Sequence, residues 1–179
     1  VAEAVLRVGG DLLNDIGALP DGRNARICAQ TGAALLVMHS VGLPKVPHTH
    51  VGYGDVMGAL EAFFEEKLAL CAAEGLPAEC TVLDPGIDFA KQRTDNLRIY
   101  AELERLHRFG RPLLLPVSRK TVIGEVLGLA QASDRDAGTV ACVVQGMLRG
   151  AHLFRVHHVR ATVAAVRAVG ALMDGSASE

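Results

Sequence analysis

The sequence predicts an α/β fold, a parallel sheet covered by helices. Two observations carry this. Short strand-like runs alternate with longer helix-like runs along the whole chain. The strand-like runs are near-continuously apolar, the pattern of strands buried on both faces.

The elements follow in order. Asp11–Ile16 (DLLNDI) is a short apolar strand with polar residues near its end, and 23–32 reads as a helix stopping at Gly32. Ala34–His39 (ALLVMH) is the second strand, followed by a loop with Gly42, Pro44, Pro47, Gly52 and Gly54. Residues 55–74 form a long helix ended by Gly75, and Cys80–Leu83 (CTVL) is the third strand. A helix over 94–109 stops at Gly110, and Pro112–Val117 is the fourth strand. Helices over 118–128 and 134–149 precede the fifth strand, Ala151–Val156 (AHLFRV). A closing helix spans 160–173, leaving a small, polar tail at 174–179. Residues 1–173 thus read as one domain.

Composition narrows the function. With 50% hydrophobic and 21% charged residues the chain is not disordered. A net charge of −2 gives no polyanion-binding footprint, so nucleic acid is not expected as a partner. No apolar run approaches the about 18–20 residues of a membrane span. The N-terminus lacks the basic start and long apolar centre of a signal peptide. It opens without Met, like the tail of an amphipathic helix, so residues are expected upstream. Cys28, Cys71, Cys80 and Cys142 match no zinc or CxxC spacing, and they are expected to be reduced packing residues in a cytoplasmic protein.

The strand ends carry the chemistry. Asn14-Asp15, Met38-His39, Asp84, Ser118-Arg119-Lys120 and Arg155-Val156-His157 stand at the C-terminal ends of the five strands. β/α-barrel enzymes build active sites on that face. Yet 179 residues fall short of the about 250 that a complete (β/α)8 barrel takes. Asn14 offers an amide and Asp84 two acceptor oxygens, together able to read the donor–acceptor edge of a flat heterocycle. Asp84 is equally an ordinary turn-initiating Asp before Pro-Gly. Lys120 is a compact cation suited to a ring carbonyl or nitrogen, and Arg119 to forked anion contacts. Ser118 could instead cap the helix that follows. Two adjacent cations at a helix start oppose its dipole and call for a bound anion or a negative neighbour. Arg155 and His157 share a face of an extended segment and suit phosphate or pyrophosphate, unless Arg155 pairs with a local carboxylate. His39, His48 and His50 lack the spacing of a metal site.

Together these motifs resemble the dihydropteroate synthases of the pterin-binding family. The matching segments are NDI at 14–16, MH at 38–39, LDPGIDFAK at 83–91, DNL at 95–97, SRKTVIG at 118–124, GTVAC at 138–142 and GAHLFRVHHV at 150–159. The resemblance covers essentially the whole chain. It implies a TIM-type (β/α)8 barrel of which this chain is an incomplete part, strands four to eight with their helices. It also implies condensation of 6-hydroxymethyl-7,8-dihydropterin diphosphate with 4-aminobenzoate, releasing pyrophosphate, in a cytoplasmic homodimer using Mg²⁺. The usual protein ligand of that Mg²⁺ would lie upstream of this chain, so no metal ligand is assigned here. By position, Asn14 and Asp84 would hydrogen-bond the pterin, and Lys120 would contact its ring and help close the site. Met38 and Phe89 would wall the pocket, Arg155 and His157 would hold the pyrophosphate, and Ser118 and Arg119 would lie toward the aminobenzoate. Asp84 and Lys120 are the catalytic pair this implies. A pterin-binding paralogue without turnover, and a folate-dependent methyltransferase barrel, are the alternatives. Three departures stand out: Asp88 where the family motif has Gly, Pro116 where Gly commonly precedes SRK, and His158 for the Asp of RVHDV.

Overall fold

The computed structural model describes residues 1–42 and 51–175. Helix α1 (Ala2–Arg7) leads into strand β1 (Leu12–Asp15), helix α2 (Arg23–Thr31) and strand β2 (Ala34–Met38). Helix α3 (Val56–Ala73) precedes β3 (Thr81–Asp84), and α4 (Arg93–Ala101) with a 3₁₀ segment (Leu103–Phe109) precedes β4 (Leu114–Leu115). Helices α5 (Thr121–Leu127) and α6 (Asp136–Leu148) come before β5 (Leu153–Phe154), and α7 (Val159–Asp174) closes the order.

The strands are parallel and stand in chain order. β1 pairs with β2 and β2 with β3, placing Asn14 opposite Leu36 and Met38 opposite Asp84. β4 pairs with β5, and a single parallel bridge from Leu83 to Leu113 joins the two groups. Each link between neighbouring strands is therefore a crossover containing helix, the arrangement expected of an α/β chain.

Strand alternation divides the core. Leu35, Val37, Leu83, Leu113 and Leu115 join the large cluster formed with the helices, among them Leu60 and Phe64 of α3 and Ile99 of α4. The intervening positions, Leu36, Met38, Val82 and Leu114, form a second cluster with Phe89 against it. The second cluster shares its face of the sheet with Asn14 and Asp84, because Asn14 lies opposite Leu36 and Asp84 opposite Met38.

Four expectations are corrected. The helix predicted over 94–109 ends at Ala101 and continues as the 3₁₀ segment. A three-residue repeat puts Leu103, Leu106 and Phe109 on one side, and Leu103 and Leu106 are fully buried there. The fourth strand shrinks to Leu114–Leu115 because Pro112 and Pro116 have no N–H to donate to a ladder. The helix predicted to begin at Ser118 begins at Thr121, after a turn in which Arg119 takes φ 58°. Asp174 belongs to α7, and residues 176–179 of the predicted tail lie outside the described residues.

At the two ends of the sheet, Leu12 and Ile16 on one side and Leu153, Val159 and Val163 on the other are exposed. Unpaired edges flanked by apolar side chains favour association over a unique monomer. Residues 1–179 alone are expected to aggregate or to melt without a sharp transition in calorimetry. A cooperative transition of a monomer would contradict this.

Candidate functional site

The polar residues of the strand ends meet around the turn after β3. Asp84 is 2% exposed, and its Oδ1 accepts the Gly86 N–H at 2.7 Å, so it does begin the Asp-Pro-Gly turn. No donor among the described residues reaches Oδ2. Burial pushes the Asp84 carboxyl up to about 6, against the opposing pull of the Gly86 N–H, Lys120, Lys91 and Arg155. Gly86 holds φ 67° with a carbonyl pressed on it: a Cβ there would sit 1.9 Å from the His39 oxygen. Only glycine allows the turn to pack against the end of β2.

Lys120 reaches the same turn from the start of α5. Its Nζ donates to the Ile87 carbonyl at 2.8 Å and lies 4.6 Å from the centre of the Phe89 ring. Burial lowers the ammonium's pKa, while Asp88 and Asp84 oppose that shift. Phe89 packs on the second apolar cluster, which includes the buried Met38. Lys120, Phe89, Met38 and Asp84 thus bring a cation, a flat apolar wall and a carboxylate to one place.

The anion-binding candidates are placed differently. Arg155 is exposed, and among the described residues it makes no hydrogen bond or ion pair. His157 is oriented by Ser118: the Ser Oγ lies 2.7 Å from Nδ1 and accepts the His157 N–H at 3.1 Å. Ser118 therefore does not cap α5, whose N-cap residue is Lys120. The Arg119 guanidinium is forked onto Asp136 at 2.8 and 3.0 Å. The two adjacent cations thus have carboxylate neighbours, Asp136 for Arg119 and Asp88 with Asp84 for Lys120. Asn14 is exposed on β1, two strands away from Asp84. Its side chain has no hydrogen bond among the described residues.

Two residues of the site carried no role in the sequence reading. Lys91 is buried, and its Nζ lies 2.9 Å from His39 Nδ1 and donates to the Phe89 carbonyl at 3.0 Å. Burial lowers Lys91 to about 7 and, with the nearby Lys91 charge, His39 to about 3. His39 is thus a neutral acceptor facing an amine. Its ring also meets Phe63 edge-on at 4.8 Å. A Lys two residues beyond the Phe of a strand-end motif was the available signal. His48 and His50 lie outside the described residues. Among the described residues no three His, Cys, Asp or Glu side chains cluster as a metal site, and no helix is long and apolar enough to cross a membrane.

Comparison with known proteins places the chain in a family. The family model described as pterin binding enzyme matches residues 1–157. The dihydropteroate synthase of Escherichia coli K12 is 37% identical over 168 residues, covering 94% of this chain and 59% of that protein. The chain therefore spans about three fifths of that relative's length. A crystal structure of Thermus thermophilus dihydropteroate synthase in complex with 6HMPPP superposes with TM-score 0.91 at 37% identity, covering 97% of this chain and 68% of that one. A Yersinia pestis dihydropteroate synthase with a sulfonamide drug complex gives TM-score 0.89 at 35% identity, covering 97% of this chain and 65% of that one. With a family match over most of its length and the buried carboxylate, lysine and phenylalanine converging at its strand ends, the chain belongs to the pterin-binding enzyme family.

Proposed function

We propose that this chain is the part of a dihydropteroate synthase that binds the pterin diphosphate, with β1–β5 standing as strands four to eight of a TIM-type barrel. The observation that carries this is the buried Asp84 carboxylate, whose Oδ2 takes no donor among the described residues and which stands close enough to Lys120 to feel its charge, beside the Lys120–Phe89 pair. A pterin's amino and ring N–H groups would donate to the Asp84 carboxylate, in charge-assisted bonds. Asn14 would supply a further amide contact, Lys120 a cation to the ring, and Met38 and Phe89 the apolar walls. Arg155 and His157 would hold the diphosphate, with Ser118 fixing the imidazole.

In the reaction, the amine of 4-aminobenzoate attacks the pterin's methylene carbon and the C–O bond to the diphosphate breaks. Pyrophosphate leaves with the electron pair, and the new secondary amine loses its proton. An arylamine is neutral at pH 7, so orientation and stabilisation of the departing charge are the large contributions. Arg119 stands on the aminobenzoate side in this reading, anchored by Asp136. Arg155, His157 and Lys120 do not make the oxygen-rich ligand set that a hard dication takes.

In this reading the departures from the family motif spare the residues assigned to the pterin. The Asp88 carboxylate is bonded to the start of α5 and to Asn96. Pro116 is buried at the end of β4, and His158 is the exposed N-cap residue of α7. The likeness to dihydropteroate synthases favours a synthase over a methyltransferase barrel. We also place the enzyme in the cytoplasm as a homodimer. The exposed Leu148 of α6 and Leu172 and Met173 of α7 are the apolar groups a second copy would cover.

Calorimetric titration of the full-length protein with the pterin diphosphate tests the reading. Saturable 1:1 binding that is weakened by pyrophosphate is expected, whereas no heat from the pterin at substrate-like concentrations would reject it.

A further inference from the structure

We propose that Asp88 is a positioning residue that fixes Lys120 in the pterin site, acting as a clamp between the turn after β3 and the first turn of α5. The inference rests on the function proposed above, and it concerns a residue that departs from the family's glycine.

Asp88 has φ 65°, a left-handed conformation that glycine adopts freely and Asp only at a cost. The side chain that takes on this strain is fully engaged. Its Oδ1 accepts from Asn96 Nδ2 at 3.0 Å and from the Val122 N–H at 3.3 Å, and its Oδ2 accepts from the Thr121 N–H. The Asp88 N–H donates to Asn96 Oδ1 at 2.9 Å, and Asn96 is buried. Thr121 and Val122 open α5, and the N-cap residue, Lys120, makes no side-chain cap bond. Their N–H groups would otherwise have no intrahelical acceptor. Asp88 thus does from another segment what a local cap does elsewhere.

The consequence falls on Lys120. The turn after β3 and the start of α5 are joined by the bond from Lys120 to the Ile87 carbonyl, by its contact with the Phe89 ring, and by the Asp88 carboxylate. The charged groups facing Lys120 are Asp88 of the turn, Asp84 of β3, Arg155 beyond β5 and the Lys91 amine, on which Lys120 acts in turn. The two carboxylates favour its ammonium and Arg155 opposes it, with Asp88 the strongest of the three. Losing the Asp88 hydrogen bonds frees the segment, and losing its charge makes the amine easier to deprotonate.

Two variants separate clamp from charge. Asp88→Asn keeps a side chain that tolerates the left-handed backbone and one of the two acceptor oxygens, so it retains part of the clamp and loses the charge. Asp88→Gly, the family residue, relieves the backbone but removes the clamp. In the full-length protein, Asp88→Asn is expected to shift the alkaline limb of kcat/KM to lower pH. Asp88→Gly is expected to add a rise of about tenfold in KM for the pterin diphosphate, the loss of one well-made charged contact. The Lys120 titration, followed by NMR of ¹³C-methylated lysines, should move down in both variants and needs no turnover. A Lys120 titration and a KM unchanged in both variants, whatever their melting temperatures, would overturn the inference. Wild-type protein that binds no pterin would reject the proposed function instead, and the lysine titration would still decide whether Asp88 governs Lys120.

Discussion

Asp84→Asn is expected to lower kcat/KM of the full-length protein by about 10²–10³-fold, a loss of about 3–4 kcal/mol, the size of two charge-assisted hydrogen bonds in a buried site. The loss should fall on pterin binding and on the chemical step together. The pH dependence gives a sharper signature. Burial holds the Asp84 carboxyl at about 6, so the empty site takes up a proton as pH falls through 6. The protonated carboxyl no longer offers two acceptors, and pterin affinity should fall about tenfold per pH unit below 6. Asp84→Asn should abolish that acid limb. Stability should move the other way. A carboxyl whose folded-state pKa lies above its unfolded value of 3.8 destabilises the fold once ionised. That cost grows as pH rises from about 4 to 6 and is constant above, at up to about 3 kcal/mol. Asp84→Asn should therefore be no less stable than wild type to urea at pH 7.5. Wild-type turnover in the variant, or an acid limb that persists in it, would remove Asp84 from the mechanism.

Arg155→Gln should produce the second large effect, of a different kind. The guanidinium is exposed and has no partner among the described residues, so removing it leaves no buried group stranded. Stability should change by less than about 0.5 kcal/mol. Its proposed work is on the leaving group, where charge grows as the C–O bond breaks. A fall of about 10²-fold in kcat is expected, the scale of losing one aimed donor to a developing anion. Binding of a pterin lacking the diphosphate should be unchanged. Equal losses for pterins with and without diphosphate would show that Arg155 acts on the ring or on the fold instead.

Much of this architecture is legible in the sequence because its determinants are local. The apolar runs ALLVMH and CTVL give β2 and β3 to within one residue, and Gly32 and Gly110 end their segments in left-handed conformations. The polar residues after each strand could be named because β/α order places all strand ends on one side. What stayed hidden depends on partners distant in sequence. Nothing near Ser118 shows that its hydroxyl serves His157, 39 residues away, instead of capping α5. The carboxylates that answer Arg119 and Lys120 come from α6 and from the turn after β3. Lys91 closes the LDPGIDFAK segment, but nothing near it in sequence shows that the fold buries it against His39, 52 residues away. The break of 94–109 into α4 and a 3₁₀ segment is not legible in sequence because Leu103 and Leu106 also fit a helical face. The departure at Asp88 reads from sequence as an extra charge near a substrate, and the structure shows a carboxylate already bonded to α5.

The most direct test of the account is pyrophosphate release by the full-length protein, given the hydroxymethylpterin diphosphate and Mg²⁺, with and without 4-aminobenzoate. Release that depends on 4-aminobenzoate is the result the account predicts. Tight pterin binding with no release in the presence of 4-aminobenzoate would contradict it, and would mark a protein that keeps the Asp84–Lys120 pocket without the synthase reaction.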